Sequence, residues 1–292
     1  MKEKPISART KKLLSEHQIQ LKKSLGQNFL TDPHVLDKII HAASLTKKSG
    51  VIEIGPGIGA LTERLAQVAG KVVAIEIDQR LIPVLEDLFQ NDDNVEIINA
   101  DALTVDLKKV VAEHFGDAGT LHVVANLPYY VTSPILIRLL EERLPLANIV
   151  IMIQKEVADR LKAAPGTKDY SSLSVLVQYY AEVEEVGRVP SHVFVPRPQV
   201  DSKVVCLTLR REPKVRVPDE QAFFKMVRAA FNQRRKTLLN SLHSHLLSSV
   251  SKEELEKWMS EAGIDPKRRA ETLDLEEFAV LAEVLDRKKI SF

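Results

Sequence analysis

The sequence predicts an open, doubly wound and mainly parallel α/β sheet of seven strands, followed by a small all-α domain. Three observations carry this. Short apolar runs alternate with amphipathic helical stretches across residues 50–182, as strands joined by crossover helices do. The first run, Gly50-Val51-Ile52-Glu53-Ile54, passes straight into the glycine turn Gly55-Pro56-Gly57-Ile58-Gly59. From residue 219 onward the apolar spacing is helical only, with Phe223, Phe224, Val227 and Phe231 on one face.

Residues 8–23 read as helical in parts, with Leu13, Leu14, Ile19 and Leu21 among lysines and an arginine. In Leu25-Gly26-Gln27-Asn28-Phe29-Leu30, a glycine and two adjacent amides make a segment able to bend over a polar ligand. A plain loop before a helix, with Asp32 as N-cap and Pro33 at the first helical position, fits the same residues. At the glycine turn the backbone can approach a ligand closely, and the helix that follows offers free N–H groups. Such glycines also serve strand–helix packing. Because Gly55-x-Gly57-x-x-Ala60 fits a relaxed dinucleotide fingerprint, a nicotinamide-dependent oxidoreductase using these residues with Glu76 stays open.

The second strand, 72–78, presents Glu76 about twenty residues beyond the turn, where a carboxylate accepts hydrogen bonds from a ribose diol. A helix over 79–90 and a strand over 95–99 lead to Asp101-Ala102 on the same rim. Asp101 suits an adenine amino group there, although an isolated Asp in such a place is also a common turn cap.

The fourth strand, 121–125, delivers Asn126-Leu127-Pro128-Tyr129. An amide, a rigid proline and an aromatic ring at the end of a buried strand can hold a flat, amino-bearing ring. The amide bonds its edge and the aromatic stacks on its face. Ser133 and Pro134 open a helix with Ile135, Leu136, Leu139 and Leu140 inward. A strand over 149–153 and a helix over 155–163 follow. Residues 164–172 have the composition of a mobile lid, ahead of a helix over 173–181. Residues 183–189 and 202–210 read as a hairpin-like strand pair at the end of the sheet. Between them Pro196 and Pro198 hold an extended loop that could present Phe194 rigidly to a base.

The boundary to the helical domain falls near Arg211-Glu212-Pro213, which gives a basic extension (1–23), a sheet domain (24–211) and a helical domain (212–292). A net charge of +1 hides an uneven distribution. Residues 1–23 carry seven basic and two acidic side chains, residues 211–292 carry 16 and 14, and the body between is therefore acidic. A polyanion would be gripped from the flanks, with Arg234, Arg235 and Lys236 suited to phosphates. A solvated tail and a solvated helix start explain the same charges. Cys206 is the only cysteine, which excludes a disulfide framework and a cysteine-based zinc site, and no metal is expected. With no membrane-length apolar segment and no signal-type hydrophobic core, a cytoplasmic protein is expected.

Taken together, these motifs resemble the S-adenosylmethionine-dependent rRNA adenine N6,N6-dimethyltransferases, over essentially the whole chain. The glycine turn with Glu53 is shared by many methyltransferases. Specificity lies in its combination with Leu25-Gly26-Gln27-Asn28-Phe29-Leu30, Asn126-Leu127-Pro128-Tyr129 and Phe194-x-Pro196-x-Pro198-x-Val200-Asp201-Ser202. The resemblance implies a Rossmann-like class I methyltransferase fold and S-adenosyl-L-methionine as cofactor. It implies that Gln27, Asn28 and Leu30 close over the cofactor, that Gly55 and Gly57 approach its methionine part, and that Glu76 binds its ribose. Asp101 and Ala102 would meet its adenine. Asn126, also bordering the cofactor, and Leu127 would position the target amino group within the motif completed by Pro128. Tyr129 and Phe194 would sandwich the target base.

The substrate implied is a pair of adjacent adenosines in the terminal hairpin loop of 16S rRNA, in a late 30S assembly intermediate, with the protein acting as a monomer. The alternatives within reach are a 23S rRNA dimethyltransferase of the macrolide-resistance type and a non-catalytic ribosome assembly factor. The residues Tyr130 to Pro134, Val200-Asp201-Ser202 and a full helical domain favour the 16S enzyme.

Overall fold

The computed structural model describes Lys12, Ser15, Glu16 and residues 28–289. The basic extension, those three residues apart, and Gln27 lie outside the described residues. The chain forms two compact units, one running to Ala158 and resumed over Val183–Leu209, the other made of Asp159–Glu182 and the chain from Arg210 on.

The first unit contains the sheet. Strands β2 (Ser49–Ile54), β3 (Lys71–Glu76), β4 (Val95–Asn99), β5 (Thr120–Asn126) and β6 (Leu146–Gln154) alternate with α1 (Pro33–Ala43), α2 (Ala60–Val68), α3 (Ile82–Phe89), α4 (Leu107–His114) and α5 (Thr132–Glu141). With β7 (Ala181–Val189) and β9 (Ser202–Leu209), the strand order is β4-β3-β2-β5-β6-β9-β7. Pairings among β2 to β6 are parallel, and β9 joins β6 antiparallel. All seven expected strands exist, and the last two lie side by side at one end. A second, two-stranded ladder that the sequence did not suggest pairs β1 (Phe29–Leu30) with β8 (Phe194–Val195), opposing Leu30 to Phe194.

Every residue of β2 is buried, as suits a central strand covered on both faces. Val51, Val124, Val150 and Met152 pack with Leu36 and Ile39 of α1 and Leu65 of α2 in one core cluster. Burying each such side chain contributes about 1.5–3 kcal/mol. Asp32 caps α1, accepting from the N–H groups of His34 (2.8 Å) and Val35 (3.3 Å), with Pro33 in the first turn. His122, inside β5, is satisfied by Asn148 Oδ1 at 2.8 Å and Thr120 Oγ1 at 2.9 Å, and burial lowers its pKa and keeps the ring neutral.

The second unit is helical: α6 (Lys155–Lys162), which enters it, then α7 (Ser172–Tyr180), α8 (Glu220–Phe231), α9 (Leu238–His245), α10 (Lys252–Glu261) and α11 (Leu275–Arg287). Residues 159–182 belong here and not with the sheet, because their aromatics are part of this core. Tyr179 and Tyr180 pack on Phe223 and Phe224 with ring centroids 5.1–5.6 Å apart, and both hydroxyls donate to Glu220 at 3.0 Å. The stretch read as a mobile lid is tied to this unit. Gly166 N–H donates to the Glu271 carbonyl (2.6 Å), Arg234 donates to the Lys168 carbonyl (2.7 Å), and Tyr170 is buried edge-on against Phe231. Gly and Ser content registered backbone freedom and missed these anchors.

Candidate active site

A parallel sheet that reverses strand order leaves a crevice at the carboxyl ends of its strands, and here it falls between β2 and β5. A cavity of about 280 Å³ occupies it, walled by the ends of β2, β3, β4 and β5 and by Asn28, Phe29 and Leu30. Gly55, Gly57, Glu76, Asp101, Ala102, Asn126, Leu127, Pro128 and Tyr129 all line this one cavity.

The floor is the glycine turn. Gly55 and Gly57 have φ of +70° and +59°, in the left-handed region open to glycine. A Cβ on Gly57 would also come within 2.8 Å of the Phe29 ring, so the turn and the Asn28–Leu30 segment fit only without it. Beside the turn, Glu76 is 5% exposed and takes the N–H of Gly57 on one carboxylate oxygen (3.2 Å) and that of Asp78 on the other (2.8 Å). Burial outweighs these bonds and raises its pKa. Each oxygen keeps a further lone pair for a hydroxyl donor.

Glu53, to which the sequence motifs assign no role of its own, is the most unusual group here. It is 1% exposed and lines the cavity, and its Oε2 is buried without a partner among the described residues. Burial pushes its carboxyl up to about 8, so at neutral pH it holds a proton. A lone acid inside an otherwise apolar strand is the signal that could have found it. An orphaned acidic oxygen on a residue that lines a cavity fits a cationic donor such as the amino group of an amino-acid moiety.

On the opposite wall, Asp101 Oδ1 accepts the Leu103 N–H at 2.8 Å, as a turn cap does. The loop it starts is braced by Arg138 of α5, whose guanidinium donates to the carbonyls of Ala102 (2.7 Å) and Val105 and pairs with Glu142. No motif pointed to Arg138; the contact spans 36 residues of sequence. Arg138→Ala leaves two carbonyls without their donor, and the expected cost is about 1–3 kcal/mol in stability. Affinity for a ligand of this cavity should fall severalfold while turnover at saturating ligand persists, as calorimetric titration and initial rates would show. Ile77, 49% exposed at the same cavity, adds an apolar face next to Glu76.

The fourth wall is Asn126 to Tyr129. Asn126 Nδ2 donates to the Asn28 carbonyl at 3.2 Å. A carbonyl can only accept, so this contact fixes the amide's orientation and leaves Oδ1 as an acceptor. Leu127 is buried and its N–H bonds the Met152 carbonyl (3.2 Å), while the Pro128 carbonyl accepts from both Val131 N–H and Thr132 Oγ1 at 3.2 Å. Tyr129 is half-buried, with its hydroxyl 2.8 Å from Ser202 Oγ, and burial keeps the phenol protonated by raising its pKa. Ser202 is fully buried next to Asp201, whose carboxylate holds Arg188 and the Ser191 N–H.

Phe194 is not brought to the cavity. It is 3% exposed and sits in the core cluster with Leu30, Leu36 and Val204. Pairing with β1 turns its ring inward, which the two prolines, arguments for rigidity only, could not indicate.

In the helical unit, Arg234, Arg235 and Lys236 are all exposed, and Arg234 is committed to Glu271 at 2.9 Å and to the Lys168 carbonyl. No helix among the described residues is long and apolar enough to cross a membrane.

The family model for ribosomal RNA adenine dimethylase matches residues 18–287. The chain is similar to the ribosomal RNA small subunit methyltransferase A of Geobacillus thermodenitrificans, 56% identical over 278 residues and 95% of each chain. It is 53% identical to the protein of that name from Bacillus cereus over 292 residues, the full length of both. Among solved structures it is similar to a dimethyladenosine transferase from Plasmodium falciparum (28% identity, TM-score 0.73, 90% of this chain and 98% of that one). It is also similar to the 23S rRNA methyltransferase ErmE (29% identity, TM-score 0.65, 89% and 100%). With a glycine turn, a buried carboxylate and an oriented amide on one rim, the chain belongs to the ribosomal RNA adenine dimethylase family.

Proposed function

We propose that the cavity is the reaction site of an S-adenosyl-L-methionine-dependent enzyme that dimethylates N6 of two adjacent adenosines near the 3′ end of 16S rRNA. Its working substrate is a late 30S assembly intermediate, and it acts as a monomer. Much closer similarity to small-subunit methyltransferases than to a 23S enzyme supports the 16S substrate. The observation that carries the chemistry is the Asn126–Asn28 hydrogen bond, because it aims a neutral acceptor into the cavity.

Adenine N6 is a weak nucleophile, since its lone pair is delocalised into the ring. Asn126 Oδ1 and the Leu127 carbonyl accept its hydrogens and favour a tetrahedral nitrogen with the lone pair freed. Bound S-adenosyl-L-methionine supplies an electrophilic methyl group on a sulfonium. Glu76 would hold its ribose hydroxyls and Glu53 its amino group, Gly55 and Gly57 would approach its methionine part, and Asp101 with Ala102 would meet its adenine. Asn28 and Leu30 would close over it, and so would Gln27, which lies outside the described residues. Tyr129, fixed by Ser202, offers one face to the target base, and Phe194 backs Leu30 from the core. Holding the reactants in line supplies most of the acceleration, so no strong base is needed.

Incubation with 30S particles from a strain lacking this activity, followed by mass spectrometry of the nucleosides, should yield N6,N6-dimethyladenosine. Labelled S-adenosyl-L-methionine that leaves those particles unmodified while the protein still binds them would instead mark an assembly factor.

Arg235 and Lys236 would meet rRNA phosphates, and Arg234 would hold the 164–172 loop in place. Neutralising Arg235 and Lys236 to Gln should weaken 30S binding and reduce the slope of log K against log salt by about 1–2. Arg234→Gln should act chiefly on thermal stability.

A further inference from the structure

Among the described residues only four large apolar side chains are substantially exposed, Ile77, Tyr130, Val200 and Val280, and two of them, Ile77 and Tyr130, line the same cavity. Ile77 follows Glu76 on the cofactor side. Tyr130 directly follows Asn126–Tyr129 in the chain, lines the cavity beside them and is 55% exposed. Neither of the other two aromatics is free for a neighbouring base: Tyr129, bonded to Ser202, is half-buried in the cavity wall where it serves the target base, and Phe194 is in the core. Tyr130 is also held in a defined place. The Pro128 carbonyl takes both the Val131 N–H and the hydroxyl of Thr132, which is 1% exposed, so the turn carrying Tyr130 is anchored to the core. No hydrogen bond engages the Tyr130 hydroxyl among the described residues.

A base admitted to a closed cavity must leave its stack, and the nucleotide next to it then stays at the mouth with one face bare. An exposed ring fixed at that mouth restores the lost stacking without reading base identity. We infer that Tyr130 is a stacking platform for the nucleobase adjacent to the target adenosine. The role rests on the adenosine-methylation reading of the cavity and extends it: when one adenosine of the pair is in the pocket, its neighbour rests on Tyr130. Tyr130 is thus a positioning residue on the RNA side of the site.

The test compares wild type with Tyr130→Phe, Tyr130→Leu and Tyr130→Ala on undermethylated 30S particles. Four quantities are measured: kcat, KM for the particle, S-adenosyl-L-methionine affinity and Tm. Stacking of one base corresponds to an effect of about tenfold or more. Tyr130→Ala and Tyr130→Leu should raise KM by that factor, Tyr130→Phe should stay within about twofold of wild type, and cofactor affinity and Tm should not move. A Tyr130→Ala KM within twofold of wild type would overturn the inference. So would Tyr130→Leu behaving like Tyr130→Phe, which would mean apolar contact without stacking, or a loss of cofactor affinity alongside the KM change. A wild-type protein that leaves 30S adenosines unmethylated would refute the reading of the cavity itself, and that control separates the two failures.

Discussion

Asn126→Ala should lower kcat for methyl transfer by about 10²–10³-fold while changing the affinity for S-adenosyl-L-methionine by less than about threefold. The size follows from the loss of a preoriented hydrogen-bonding group where the reacting atom changes its geometry, typically worth that much in rate. The selectivity follows from the structure. Glu76 and the Asp101 loop stand on other strands and keep their partners when Asn126 is truncated, and Glu53 lies on β2. Asn126→Asp sharpens the test. Its carboxylate can still accept from N6, yet it cannot donate to the Asn28 carbonyl that orients the amide through a 3.2 Å bond. If orientation by Asn28 matters, Asn126→Asp should lose rate as well and Tm should fall, since two acceptors then face each other. Single-turnover rates at saturating cofactor separate the effect on chemistry from any effect on RNA binding. Full activity in Asn126→Ala would remove the amide from the mechanism.

The parts of the site legible in the sequence were those fixed by strand ends. Once the apolar runs place β2, β3, β4 and β5 in a parallel sheet, Gly55, Glu76, Asp101 and Asn126 must fall on one rim, whatever the details of packing. Glu76 and Asn126 needed only that placement. Contacts between distant segments were not legible. Arg138 reaches back to Ala102, Asn126 to Asn28 and Tyr129 to Ser202, each across a separation that periodicity does not encode. Phe194 shows the same limit from the other side. Its prolines announce a rigid loop, but a two-residue ladder with β1 decides which way the ring faces. Residues 159–182 were divided from the helical unit because alternation of strands and helices continues through them, whereas Tyr170, Tyr179 and Tyr180 choose their partners by aromatic packing. Tyr130 was visible as the residue that follows the Asn126–Tyr129 motif, and only its exposure at the cavity separates its role from that of Tyr129.

Glu53 should make both stability and cofactor binding depend on pH, in opposite senses. Its carboxyl is pushed from 4.5 up to about 8 by burial, with Glu76 adding repulsion and a hydrogen bond opposing. Between those two values the folded protein holds a proton that the unfolded chain has released, so stability is fully present below about 4.5 and declines as pH climbs to about 8. A tenfold difference in proton affinity between the folded and unfolded chain is worth about 1.4 kcal/mol, so the decline amounts to a few kcal/mol, and Glu53→Gln should flatten that part of the Tm–pH curve. For binding the sign reverses. A cationic amino group delivered to Oε2 favours the ionised carboxylate, so binding below pH 8 must expel the proton. Calorimetry in buffers of different ionisation enthalpy should then show more proton release for wild type than for Glu53→Gln. The difference should approach one proton near neutral pH and vanish above about pH 9. The variant isolates Glu53 from any titration of the ligand's own amine, which is common to both proteins. Equal proton release in the two would mean that Glu53 stays neutral in the complex, and its orphaned oxygen would then be a packing cost and not a ligand contact.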